Sequence, residues 1–171
     1  MAEIYLSEHF RLKEFVPPRY HNALHEVPEE VVGNLRRLCA WVLEPARHAL
    51  NVPFTISSGW RPPAHNAKEG GVKSSDHLNG NAADIQIFTD GKPNNALTRS
   101  LFHWFRLNQF GHFGQLILEE HWKGARHTVW VHISNVTAKH PGAQTSDILY
   151  SPEKGNYRRY VDGMENQDSL A

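Results

Sequence analysis

Any fold for this chain has to accommodate the stretch Ser75-Asp76-His77-Leu78-Asn79-Gly80-Asn81-Ala82-Ala83-Asp84 and its distant complement Trp130-Val131-His132. Gly80 permits a tight turn just after His77. Ala82 and Ala83 are small enough to let Asp84 approach a neighbouring element. Ile85 and Ile87, alternating with Gln86, read as a short strand. The pattern predicts a carboxylate held where a loop enters a strand, a rigid place for a ligand. His77, Asp84 and His132 are a donor set for zinc that leaves its fourth position open, and an open position separates a catalytic zinc from a structural one. Water bound there ionises near neutral pH and becomes a nucleophile for hydrolysis. The spacing alone is loose, because the chain has 12 histidines and a surface histidine before a turn aspartate would look the same.

Further blocks carry a resemblance. Ser-x-His-x-x-Gly-x-Ala-x-Asp followed by Trp-x-His resembles the peptidase M15 family of zinc D-Ala-D-Ala carboxypeptidases and peptidoglycan endopeptidases. The same metal-site arrangement occurs in the Hedgehog signalling domain. Ile56-Ser57-Ser58-Gly59-Trp60-Arg61-Pro62-Pro63 is similar to the family's Ser-Gly-Tyr-Arg segment, and Asn66 and Gly70-Gly71 fall where such sequences carry Asn and Gly-Gly. Gln115-Leu116-Ile117-Leu118-Glu119 resembles its Gln-Leu-Ile-x-Glu strand. Ser7-Glu8-His9-Phe10 with Glu14-Phe15-Val16 resembles the start of its subfamily A. The likeness runs over about residues 5 to 135. It implies a Hedgehog/DD-peptidase-like fold, one Zn2+ per chain on His77, Asp84 and His132, and a peptidoglycan stem peptide as substrate.

The remaining roles follow from residues and resemblance together. Along the strand around His132, Trp130, His132 and Ser134 share one face and Val131 and Ile133 the other, so the aliphatic face should be buried. An acid shortly before this strand would be the general base. Parity with Gln115 and Ile117 favours Glu119, with Glu120 as the alternative on the opposite face. Arg61 would polarise the scissile carbonyl or hold a substrate carboxylate with its planar fork. Ser75 would contact substrate or cap its loop, and Trp130 would line the substrate cleft or pack. His121 and His127 fall between the two strands of a hairpin whose connection reads as longer than usual, and either could add a ligand.

Elsewhere the chain reads as one α+β domain of 171 residues, a small antiparallel sheet with helices packed on one face. Residues 1–27 read as irregular. A helix opens at Pro28-Glu29-Glu30 and runs to about Leu50 with Val32, Leu35, Leu38, Cys39 and Val42 as its apolar stripe, and Pro45 should kink or end it. Phe54–Ser57 reads as a strand, 60–81 as a long loop, and 94–108 as a helix capped by Asn94 or Asn95 with Leu97, Leu101, Trp104 and Phe105 on one face. Gln115–Glu120 and Thr128–Ser134 read as strands. Residues 137–171 read as a peripheral extension whose last eight or so are disordered.

Composition removes several classes of function. Net charge is zero and the pI about 7.2, so nothing draws the chain to nucleic acid or an anionic membrane. No apolar run is long enough for a membrane span, and the first residues lack a signal peptide's charged and apolar regions. A wall-degrading enzyme without an export signal fits a phage or prophage product, made in the bacterial cytoplasm and acting on the cell wall. A mature domain fits equally. Cys39, the single cysteine, reads as a buried inert thiol. A monomer is expected. Two other functions stay open: an inactive binding or virion module on the same fold, and a zinc hydrolase of another substrate class.

Overall fold

The computed structural model describes residues 3–142 and 147–164. The tail expected to be disordered lies beyond these, except for Met164. The chain is mixed α and β, as the sequence predicts, and clusters into two compact units. One comprises residues up to 52 together with 56–84. The other comprises 53–55 together with residues from 85 onwards.

In the first unit the N-terminal stretch is more ordered than expected. It contains helix α1 (Leu12–Phe15) and two 3-10 turns, Pro18–Tyr20 and Leu24–Glu26. Helix α2 (Glu29–Leu38) starts behind Pro28 with two acids in its first turn, as predicted. Its buried stripe uses Val31, Leu35 and Leu38 rather than Val32. Pro45 does not break the helical run. A single π-turn (Cys39–Leu43) widens the helix just before it, the Glu44 N–H bonds to the Cys39 carbonyl, and helix α3 (Glu44–Leu50) follows. Pro45 then stands in a first turn, where its missing N–H costs little. Asn51, at φ 51°, ends the run in the left-handed conformation. Cys39 is fully buried, and that burial pushes its thiol pKa far up, as expected of an inert thiol.

Strand β1 (Thr55–Ser58) is followed by a stretch that is not a structureless loop. Pro63 opens helix α4 (Pro63–Lys68), and Asp76–Asn79 form a 3-10 turn. Strand β2 (Ala82–Gln86) comes next, with Ala82, Ala83 and Ile85 buried. Two glycines make the local route possible. Gly80 has φ +70°, and a Cβ there would lie 2.9 Å from Val31 Cγ1 of α2. A Cβ on Gly59 would lie 2.5 Å from the Phe15 carbonyl oxygen.

The second unit begins with a small hairpin, β3 (Phe88–Thr89) and β4 (Lys92–Pro93). Its two central residues, Asp90 and Gly91, both have positive φ, a turn for which Asp-Gly is a strong signal. Helix α5 (Asn95–Asn108) is capped by Asn94, whose side chain accepts from the Leu97 N–H at 3.0 Å. Thr98, Leu101, Phe102 and Phe105 form its buried stripe. Strands β5 (Leu116–Lys123) and β6 (Arg126–Ser134) make an antiparallel hairpin that runs to the pair Lys123–Arg126. The connection expected to be enlarged is therefore only Gly124-Ala125, and His121 and His127 are strand residues. Strands β7 (Ile148–Ser151) and β8 (Arg158–Arg159) extend this hairpin in the order β6-β5-β7-β8. The β5–β7 pairing is parallel, so the sheet is mixed rather than purely antiparallel. Ile148, Tyr150 and Ser151 are buried, which gives part of the supposed periphery a place in the core.

The close approach at Gly59 makes a clear prediction. The obstructing atoms belong to the Phe15 backbone, which cannot swing aside. Gly59→Ala should therefore cost about 1–3 kcal/mol in denaturant unfolding. The same change at Gly124, where a Cβ would meet nothing within 4 Å, meets only the backbone strain of its positive φ.

Candidate functional site

In the first unit three short segments hold His77 and Asp84. Trp60 N–H donates to the Phe15 carbonyl at 2.7 Å, Arg61 N–H to the His77 carbonyl at 2.9 Å, and Trp60 Nε1 to the Leu78 carbonyl at 3.0 Å. The 3-10 turn is tied to α2 by Asn34 Nδ2, which donates to the Asn79 carbonyl at 2.8 Å. These bonds place the ring of His77, which is 1% exposed, so that Nδ1 lies 2.7 Å from the Gly59 carbonyl oxygen. A carbonyl only accepts, so Nδ1 carries the proton and Nε2 keeps its lone pair. Nε2 lies 3.2 Å from Asp84 Oδ1. A tetrahedral ion about 2 Å from a nitrogen and an oxygen donor spaces them by about 3.3 Å. The pair thus fits a metal in separation, tautomer and donor chemistry.

Asp84 is oriented from both sides. Its backbone carbonyl accepts from Ser57 Oγ at 3.1 Å, and its Oδ2 accepts from an Arg61 guanidinium nitrogen at 3.3 Å. The Arg61–Asp84 contact was not anticipated. It gives Arg61 a positioning task at a candidate ligand beside any contact with substrate. Arg61 Nε is buried without a hydrogen-bond partner. Ser75 precedes the 3-10 turn, yet its side chain makes no cap hydrogen bond. Of the two tasks expected for it, the capping one is absent.

In the second unit the register of β5 and β6 distributes the remaining candidates between two faces. Glu119 lies opposite Trp130 and Ile117 opposite His132, so Glu119, His121, Trp130 and His132 share one face. Val129, Val131 and Ile133 are fully buried on the other face, as predicted. Glu120 points to that second face, where helix α5 packs. Arg99 of α5 grips it with Nε at 2.7 Å and a terminal nitrogen at 2.9 Å, and His127 Nε2 lies 2.9 Å from its Oε2. His127 also stacks flat on Trp122, with ring centroids 4.0 Å apart. Glu120 and His127 thus belong to a structural network.

His121 stands differently. Its ring meets Trp130 edge to face at 4.4 Å, and its Nε2 lies 4.0 Å from Glu119 Oε2. That nitrogen is buried without a hydrogen-bond partner. Burial and the nearby Lys154 push the His121 pKa below the ordinary histidine value, so the ring is neutral at neutral pH. The sequence flagged His121 and His127 alike; only the strand register separates them.

An imidazole with its tautomer fixed by a carbonyl, facing an oriented carboxylate, is the ligand chemistry of metal-dependent hydrolases. The comparison with known families narrows that class. The sequence pattern described as Peptidase M15 matches residues 15–134, and the chain belongs to the peptidase M15 family. No curated protein matches it. Family membership makes its function of the metallopeptidase type, hydrolysis of a peptide substrate. Among the described residues no helix is long and apolar enough to cross a membrane.

The two carboxylates of β5 separate in a stability measurement. Arg99→Leu strips Glu120, whose side chain is 3% exposed, of its bidentate partner. The variant should lose about 3 kcal/mol of unfolding free energy while its metal content stays at the wild-type level. Wild-type stability in this variant would show that His127 alone suffices to hold the buried charge.

Proposed function

We propose that the protein is a zinc-dependent peptidase that hydrolyses peptide bonds in peptidoglycan stem peptides, of the D-Ala-D-Ala carboxypeptidase or endopeptidase type. In this reading His77, Asp84 and His132 hold one Zn2+; two imidazoles and a carboxylate are a group that could hold a metal ion. The observation that carries the reading is the His77 ring, fixed by the Gly59 carbonyl with Nε2 towards Asp84, in a chain of the peptidase M15 family. When bound, the ion supplies a water ionised near neutral pH and positive charge for the scissile carbonyl oxygen.

The side chains supply the remaining chemistry. Glu119 takes the proton from the attacking water and delivers it to the leaving amine, so that the amine departs neutral. Its face, shared with His132, suits this task, whereas Glu120 is engaged by Arg99. Arg61 holds Asp84 with one guanidinium nitrogen and has further N–H groups for the substrate's carbonyl oxygen or terminal carboxylate. Ser75 and the half-exposed Trp130 are the other substrate contacts in this reading.

Mass spectrometry of peptidoglycan digested by the metal-loaded protein tests the substrate class. Loss of a terminal D-Ala, or opening of a peptide bond within the stem or cross-link, is the expected result. Muropeptides left intact would remove the proposed substrate. Glu119→Gln keeps the shape of the side chain but accepts no proton, so turnover should fall at least ~100-fold with metal content unchanged. Near-wild-type turnover in that variant would strip Glu119 of its role. Arg61→Ala should lower both kcat and metal affinity, the latter about 10-fold, because it acts on the carbonyl and on Asp84.

A further inference from the structure

The first unit contains a second histidine and carboxylate cluster, formed by the N-terminal segment and helix α3. Glu44 and His48 are one helical turn apart and share a face of α3. His9 approaches them from the segment before α1. Its backbone N–H donates to Glu44 Oε1 at 2.8 Å, and its ring Nδ1 lies 2.8 Å from Glu44 Oε2. Glu44 is buried. Both oxygens of the carboxylate are thus engaged by His9. It draws the His9 proton to Nδ1 and leaves Nε2 with its lone pair.

The other groups complete a donor set. His48 Nε2 lies 3.3 Å from Glu8 Oε2 and 3.7 Å from Glu44 Oε2. The His9 and His48 rings meet edge to face at 5.1 Å. Glu8, His9 and His48 each offer a ligand atom within 4.8 Å of the others, and all three are exposed. A plain surface ion-pair network would need none of the restraint seen at His9. Both its backbone and its ring are held by one buried carboxylate, the way an outer carboxylate orients a metal-ligating imidazole.

We propose that Glu8, His9 and His48 form a second, peripheral site for a divalent transition-metal ion of the zinc type, with Glu44 as the positioning residue for His9. Two imidazole nitrogens favour zinc, copper or nickel over magnesium or calcium. Exposed ligands make the site weaker than a buried one. A bound ion would tie residues 8–9 to α3 and stabilise the unit in proportion to its occupancy.

Zinc titration by calorimetry, on protein stripped with a chelator, tests this site separately from the proposed catalytic one. Wild-type protein should take up two equivalents, one tighter and one of micromolar affinity. His48→Ala removes an exposed ligand, leaves the two His9–Glu44 bonds in place, and should abolish the weaker equivalent while peptidase activity remains. His132→Ala should abolish the tighter equivalent and leave the weaker. Glu44→Gln should weaken the second equivalent by ~10-fold or more, with the tighter one unchanged. Magnesium should not replace zinc. A single equivalent in the wild type, or a second equivalent that survives both His48→Ala and His9→Ala, overturns the proposal. Loss of only the tighter equivalent's expected behaviour would instead count against the catalytic reading.

Discussion

A buried imidazole binds a metal only when something decides which of its nitrogens carries the proton. For His77 that decision is one hydrogen bond, Nδ1 to the Gly59 carbonyl at 2.7 Å. The carbonyl can stand there because Gly59 has no side chain, and the Phe15 backbone fills the space a Cβ would need. The bond between Trp60 N–H and the Phe15 carbonyl fixes the same approach from the next residue. Arg61 then has its backbone on His77 and its guanidinium on Asp84. Three consecutive positions, Gly59 to Arg61, thus connect the first helix, the candidate ligands and a candidate catalytic group. The Gly-Trp-Arg segment owes its pattern to this crowding as much as to chemistry.

The same physical logic shows why the ligand stretch was legible and much of its surroundings was not. Gly80 and the two alanines before Asp84 are small because neighbouring elements press on them, and that constraint is visible as composition. Helix α4 went unread, since six residues cannot display a helical period and its opening Pro62-Pro63 looks like a break. Pro45 misled for a related reason. A proline removes one donor, and the π-turn before it absorbs the defect without ending the helix. No single-residue signal announces a π-turn.

The hairpin was misread at its tip. Its turn residues are Gly124-Ala125, not Asn-Gly or Asp-Gly, and the strand ends around it are polar and basic. Polar residues at the far end of a long hairpin need not alternate, because neither face is buried there. Residues 121–127 therefore looked like loop. The consequence reached the site, since two histidines assigned to a loop became strand residues with opposite orientations. The Asp90-Gly91 hairpin shows the converse: its signal was present, but the flanking strands are too short to frame it.

The adjacent carboxylates of β5 show how far strand alternation alone can separate two neighbours. Glu119 and Glu120 are chemically near-identical, and no propensity distinguishes them. Alternation sends them to opposite faces, and the two faces then meet different demands. The α5 face is dry, so a carboxylate there is stable only with a strong partner, and Arg99 provides a bidentate one. A carboxylate so engaged has its charge and geometry committed to the packing of α5. The opposite face carries His121, Trp130 and His132. There His121, with Nε2 4.0 Å from Glu119 Oε2, is kept neutral by burial and by Lys154. The register that commits Glu120 to Arg99 thus puts Glu119 on the face of His121, Trp130 and His132, which is why the base role is proposed for Glu119 and not for its neighbour.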